Sequence, residues 1–376
     1  MFLMLAEVLR SCDVAAALPG SPIWASVCRE QSHAAWTGCS LHDLIQPGFY
    51  FLVGVGLVLS IARRVSSGES RWALTRHALV RSGLLVLLGM ALVAVHPRRW
   101  SWWFDDTLTQ IGLAYPFLFF IARRPRREWW VALGMILFGY WLWFALYPLP
   151  AASFDYAGAG VSPEWLRVHG LTGFATHWQK NSNAAWAFDY WFLNLFPRDT
   201  TFIGNENGLT TLNFIPSIGT MILGLIAGDV LQSARQPRAK LTWLCIGGST
   251  LLAAGWILGA VGVAPVVKAI WTPSWVLFSG GWCCLALAGF FALVDVGGFK
   301  RLVFPLIVIG ANSVVAYSMS HLYPAFAFNS LRRVFGGTAF EVFGRAYEPM
   351  VYGCAVFALY WLVLFVLYRR RVFVRI

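Results

Sequence analysis

Charge is what this 376-residue chain has least of: Asp, Glu, Lys and Arg make up 12% of it, against 58% hydrophobic residues. Ordinary soluble domains carry about twice that charge, so a chain surrounded by water on all sides is excluded. Acids are the scarcer sign, 17 against 29 Lys and Arg, which leaves a formal charge of +12. The seven cysteines show no CxxC or other metal-ligand spacing, which removes zinc ribbons and dithiol redox motifs. No low-complexity segment and no internal repeat is evident, so repeat architectures are excluded as well. The opening stretch "MFLMLAEVLRSCDVAAALPG" lacks the basic flank that precedes a first cytoplasmic-side span, and its charge order is wrong for a signal peptide.

What the chain does have is long apolar runs. A bilayer core of about 30 Å needs about 20 such residues per helix, and ten runs answer, near 1–18, 43–62, 77–95, 107–122, 129–147, 209–231, 241–260, 274–294, 302–323 and 348–368. The expected fold is an all-α polytopic membrane protein. It is a bundle of about ten transmembrane helices in a single integral-membrane domain over 1–376, with the first helix expected to be cut short. The basic residues sit in short turns, "ARRVSSGESRW", "ARRPRREWW", "ARQPRAKL" and "GGFKR", and in the tail "YRRRVFVRI"; the opposite loops hold most of the acids. By the positive-inside rule the Arg-rich turns and the C-terminus are cytoplasmic. Arginines spread over separate turns form no groove, so nucleic acid is not an expected partner.

The largest interruption is a 148–208 extracytoplasmic loop between helices 5 and 6, rich in Gly, Pro, Asn and aromatics, a composition that argues against disorder. Trp165, Trp178, Trp186 and Trp191 there fit a platform for sugar rings. Trp100, Trp102 and Trp103 of a shorter outer loop fit that use or an interfacial belt about equally. Cys245, Cys283, Cys284 and Cys354 read as small buried hydrophobes. Cys12, Cys28 and Cys39 face outward, where a Cys28–Cys39 bridge around His33 is one option.

His33 opens the stretch "HAAWTGCSLHDLIQPGFYFLVGVGLVLSIA", in which ionisable groups stand at the mouth of a span. Such groups are costly at membrane depth and mark candidate sites; the plainer reading is an interfacial histidine facing water. In a continuous helix His33 and Asp43 would lie about 15 Å apart along the axis. Only a turn at Thr37–Gly38 lets Asp43 orient the imidazole; otherwise Asp43 caps the following helix. Trp36 supplies an aromatic wall beside His33, and weaker polar marks recur in Thr109, Gln110, Asn205, Asn207, Asn213, Asn312, Ser313, Tyr317 and His321. Together they fit a polar path through the bundle, although Asn and Thr often serve helix contacts alone. Arg81 either snorkels to the interface or meets an anionic ligand.

"QSHAAWTGCSLHDLIQPGFYFLVGVGLVLS" resembles the signature of the heparan-α-glucosaminide N-acetyltransferase family and its bacterial relatives, through His33, Trp36, Gly38, Asp43, Leu44, Ile45, Pro47, Phe51 and Gly54. "DTLTQIGLAY", "NGLTTLNFIPSIGTMILGLIAGDVL", "LVDVGGFKRLVFPLIVIGANSVVAYSMSHL" and "YRRRVFVRI" extend the likeness over nearly the whole chain in the same order. The resemblance implies an enzyme that takes acetyl from cytoplasmic acetyl-CoA, as co-substrate and with no metal, and delivers it to an amino sugar or glycan acceptor on the far side. His33 matches the family's active-site histidine, as general base or as transient acetyl carrier, with Asp43 beside it. Trp36, Asn205, Asn207, Asn312, Tyr317 and His321 are the expected acceptor contacts, and Arg81 and Gln110 the donor contacts. Three departures stand out: Asn207 where the family often has an acid, Gln110 where an Arg is common, and no basic Leu-Asp-Arg-Gly start.

The alternatives are an O-acetyltransferase of a cell-envelope polysaccharide and a permease. A permease would show paired broken helices in two halves, and only one strong polar entry is visible. The expected surroundings are membrane lipid of a bacterial inner membrane, with a homodimer as an option.

Overall fold

The computed structural model describes residues 1–95 and 102–374, so Trp100 lies outside the described residues. Helices are the main regular structure of the described residues, which hold no strand beyond an isolated bridge between Thr37 and Val267. The chain forms two compact units: one takes Met1–Ala34, Cys39–Ile45 and everything from Leu293 onward, the other Ala35–Gly38 and Gln46–Ala292.

Among the described residues, seven helices are long and apolar enough to cross a membrane: His42–Ser66, Arg71–Ala94, Arg126–Leu146, Thr211–Gln232, Pro237–Ala260, Pro273–Val296 and Arg345–Arg369. They account for seven of the ten expected runs, and the other three differ. The run near 302–323 breaks at Asn312 into Phe304–Ala311 and Ser313–Leu322, bent by 79°. That near 107–122 is apolar but only 16 residues long, about 24 Å of helix. That near 1–18 is no single helix: Phe2–Leu5, a tight turn over Ala6–Leu9 and Ser11–Ala17 are separated at Arg10, whose φ of 52° is left-handed. A non-glycine residue in that conformation ends a helix, and an average over apolar residues does not register it.

In the larger unit, Phe214–Gln232 is the central element; 78% of the most apolar stretch of its span is buried. Small residues bring Ile45–Ser66 against it. A methyl group added at Gly54 would fall 1.9 Å from the Met221 carbonyl oxygen, and one at Gly224 would fall 1.9 Å from that of Phe51. In lipid, where tails are as apolar as leucine, such backbone approach is a main source of helix association. Arg71–Ala94 and Thr107–Ala122 pair the same way, the Ser82 hydroxyl donating to the Gly112 carbonyl at 2.7 Å. Caps set the helix starts: the Asp106 carboxylate accepts from Leu108 N at 2.8 Å, and the Thr272 hydroxyl accepts from Trp275 N.

Between Leu146 and Thr211 the chain makes four short helices, Pro163–His169, Gly173–Trp178, Ala184–Phe192 and Leu193–Leu195. Trp178 is fully buried beneath Phe144 and Phe174. Its indole packs this segment and presents no face to a sugar, unlike Trp191, which is exposed.

In the smaller unit, the helix Glu348–Arg369 is the spine. A methyl group at Gly353 would lie 2.1 Å from the Val8 carbonyl, so the turn Ala6–Leu9 rests directly on this helix. Cys12 and Cys28 form a disulfide that joins Ser11–Ala17 to Pro22–Glu30. Cys28 therefore bonds Cys12 and not Cys39. The expectation paired the two outer cysteines nearest His33; the hairpin of short helices, hidden in a run that reads as one span, brings Cys12 closer.

Candidate functional site

The smaller unit holds an ordered constellation around His33. After Glu30 the helix ends, and the chain stays non-helical until the turn His42–Leu44. Gly38, with φ of 106°, takes the bend that other residues disfavour. The chain folds back, and His33 Nδ1 lies 2.7 Å from Asp43 Oδ1. Asp43 is 1% exposed, and its other oxygen accepts from the backbone N–H groups of Ala34 and Ser40, each at 3.0 Å. The Ser40 hydroxyl lies 3.1 Å from that oxygen and 2.6 Å from the Ser32 carbonyl, which ties the two arms of the bend together.

A carboxylate so fully bonded acts as an acceptor, so the imidazole proton sits on Nδ1 and Nε2 carries the lone pair. That is the form able to take a proton or attack a carbonyl. The His33 side chain is 58% exposed while its partner is buried, an arrangement in which the carboxylate is fixed and the ring meets solvent.

A second pair stands against the first. His42 Nε2 is 2.7 Å from Glu7 Oε1, and the rings of His33 and His42 are 4.5 Å apart at 58°. Sequence reasoning passed over Glu7 and His42 as partners. The only signal was a second histidine next to Asp43 and an acid, Glu7, in the apolar run near 1–18.

The other marked residues in this unit have different company. Asn312, fully buried at the helix break, donates to the Val372 carbonyl and accepts from Val374 N, both at 3.0 Å, so it holds the C-terminal segment. Tyr317 and His321 stack on each other at 4.3 Å, with His321 Nδ1 donating to the Tyr317 carbonyl.

In the larger unit, Trp36 is buried and donates its indole N–H to the Trp178 carbonyl at 3.2 Å. Asn205 organises a turn: its side-chain oxygen accepts from Asn207 N, and its amide donates to Asp105 at 3.0 Å. Asn207 is exposed, while Asn213 donates to the Ala269 carbonyl at 2.7 Å. Lys180 reaches the Glu206 carbonyl at 2.6 Å and lies over the Trp165 ring at 4.6 Å. Burial pulls the Lys180 ammonium down from its usual range, and Glu206 opposes that. Gln110 is buried and spends its amide on the carbonyls of Phe104 and Thr211. Arg81 packs on the Tyr115 ring and donates to its hydroxyl at 3.3 Å.

Asp189, also missed, accepts from Thr211 N at 2.9 Å. Burial pushes its carboxyl up to about 7; the Thr211 bonds pull it back, Asp105 adds to the push, and Arg198 opposes it. Among the described residues no group of three or more His, Cys, Asp or Glu side chains is placed to hold a metal ion.

No protein-family model matches the chain. Two curated proteins do: heparan-alpha-glucosaminide N-acetyltransferase of Homo sapiens, 24% identical over 92% of this chain, and that of Mus musculus, 25% identical over 76% of it. The aligned parts are 55% and 48% of those proteins, so the chain spans about half the length of the curated relatives it matches. Identity at this level spread over most of a polytopic helical chain marks common descent, and this protein is a distant relative of the heparan-alpha-glucosaminide N-acetyltransferases.

Proposed function

We propose that this protein is a membrane-embedded acetyltransferase that moves the acetyl group of acetyl-CoA from the cytoplasmic side to an amino sugar or glycan amine on the other side. The observation that carries the reading is the His33–Asp43 pair, 2.7 Å apart, in a chain related to enzymes named for N-acetyl transfer. As the acceptor amine attacks the thioester carbonyl, His33 Nε2 takes its proton. The C–N bond forms, the C–S bond breaks, and coenzyme A leaves as the thiolate. Asp43 holds the ring in the productive tautomer and offsets the charge of the imidazolium. Arg81 is the proposed contact for the anionic donor. The proposed acceptor contacts are Trp36, Asn205, Asn207, Tyr317 and His321.

The Arg-rich ends of the spans, such as Arg63 and Arg64 after Ile45–Ser66 and Arg369 at the end of Glu348–Arg369, support a cytoplasmic C-terminus. The proposed home is a bacterial inner membrane.

The test is acetyl transfer from radiolabelled acetyl-CoA by purified protein in detergent, with amino sugars and their hydroxyl-only analogues as acceptors. Transfer to the amines is expected, falling about 10²–10⁴-fold in His33→Ala with donor binding kept, and by up to about 10⁴-fold in Asp43→Asn, where the amide admits the wrong tautomer. Transfer to hydroxyls alone would replace the reading with O-acetylation. Failure of folded protein to bind acetyl-CoA would overturn it.

A further inference from the structure

At the Arg-rich end of the larger unit, the helices Ile45–Ser66, Arg71–Ala94 and Thr107–Ala122 border an open cleft of about 870 Å³, a volume ordinary for a small-molecule site. Leu74 and Phe120 give it an apolar wall, and Arg71, Arg123 and Arg124 line it. Glu69 is the only acid on that lining among the described residues, and Arg64 donates to both its oxygens, at 3.3 and 3.0 Å. The cleft therefore gathers three guanidiniums, and its single carboxylate is already bonded elsewhere.

Arg123 has a local explanation. It follows the last turn of Thr107–Ala122, where the helix dipole favours a cation, packs on the Phe119 ring at 5.4 Å and donates to Thr75 Oγ1 at 3.4 Å. Arg71 has the opposite setting: it opens the helix Arg71–Ala94, where the dipole disfavours a cation, and no acid stands in that first turn to offset it. The guanidiniums of Arg71 and Arg124 have no hydrogen-bond or ion-pair partner among the described residues. Arginines at a membrane interface often reach separately into water, whereas these converge on one cleft with an apolar wall. Guanidinium forks match phosphate oxygens, and an anion among them would relieve the repulsion of like charges.

We propose that this cleft binds the phosphate group of a ligand through Arg71 and Arg124, with Arg123 adding charge and an apolar or aromatic part of the same ligand lying against Leu74 and Phe120. Two sources share this chemistry: the head group of an anionic phospholipid and the phosphate end of coenzyme A. Basic pockets at the ends of membrane spans suit the first. The inference stands apart from the acetyltransferase reading, because it uses none of the residues assigned there.

The experiment uses the full chain in detergent, with Arg71→Ala, Arg124→Ala, the double variant and, as a charge control off the cleft lining, Arg76→Ala. Coenzyme A and pantetheine, which lacks the phosphates, are titrated by calorimetry; retention of phosphatidic acid against phosphatidylcholine is read by native mass spectrometry. The parent should bind coenzyme A or phosphatidic acid. Each single substitution should weaken that binding about tenfold and the double about a hundredfold, with Tm in the absence of ligand level or raised. Arg76→Ala should match the parent. An arginine-dependent preference for coenzyme A over pantetheine assigns the cleft to a nucleotide; the same dependence for phosphatidic acid assigns it to lipid, and either supports the proposal. Binding of neither phosphate probe, binding that the double variant leaves unchanged, or a loss matched by a fall in Tm would overturn it. If coenzyme A binds parent and double variant equally and phosphatidic acid does not depend on the arginines, the cleft fails and the acetyltransferase reading stands. Arginine-dependent phosphatidic acid with no coenzyme A bound gives the reverse.

Discussion

Asp189 is the residue whose titration the fold changes most plainly. Its carboxyl is 2% exposed and is pushed by burial from an ordinary 3.8 up to about 7. Below pH 3.8 both folded and unfolded chains hold the proton. Between 3.8 and about 7 the unfolded chain has released it while the folded chain keeps it, so stability falls as pH rises through that window and levels off above it. The Tm of the purified protein should therefore drop between pH 5 and pH 8, and Asp189→Asn should flatten that part of the curve; an equal drop in the variant would assign the effect to other groups.

Such an environment is invisible in "NAAWAFDYWF", where nothing distinguishes a buried aspartate from a solvated one. The His33–Asp43 pair was legible for the opposite reason. Ten residues apart, the two could meet only across a bend, and Gly38 stood where a bend would need it. Asn312 looked like a ligand contact because its amide has the same donors and acceptors whether it meets a substrate or, as here, the backbone at Val372 and Val374.

Between elements, the close seam of Ile45–Ser66 and Phe214–Gln232 yields a matched pair of predictions from two glycines two positions apart. At Gly54 a methyl group would fall on the Met221 carbonyl; at Gly56 nothing lies within 4 Å. Gly54→Ala should cost about 1–3 kcal/mol through forced backbone shifts. Gly56→Ala should be neutral or stabilising by up to about 1 kcal/mol, since alanine is the better helix former. Thermal denaturation of both variants in the same detergent checks this, and equal effects would mean that the seam is not tight. Apolar length was enough to read the seven long helices. It failed where a single residue decides the outcome: left-handed Arg10 inside the first run, and Asn312 at the 79° bend.

At the scale of the whole molecule, composition alone was sufficient for the membrane class, because so apolar a chain has no other solvent. The arrangement of the 148–208 segment was not, since its order comes from long-range bonds such as Trp36 to Trp178 and Asn205 to Asp105, which no local pattern announces.

The Cys12–Cys28 bond belongs to this scale too, for it ties the chain just ahead of His33. Disulfides persist on the oxidising side of a membrane, so this protein would leave the translocation machinery unfinished and mature only once that face has been oxidised. Cys12→Ser with Cys28→Ser, or expression in cells without an oxidising envelope, should yield protein that inserts normally but melts earlier and is cut more readily by protease between Ser11 and Glu30. The supply of oxidant on that face would then set how much working protein a cell makes, whatever the level of its message.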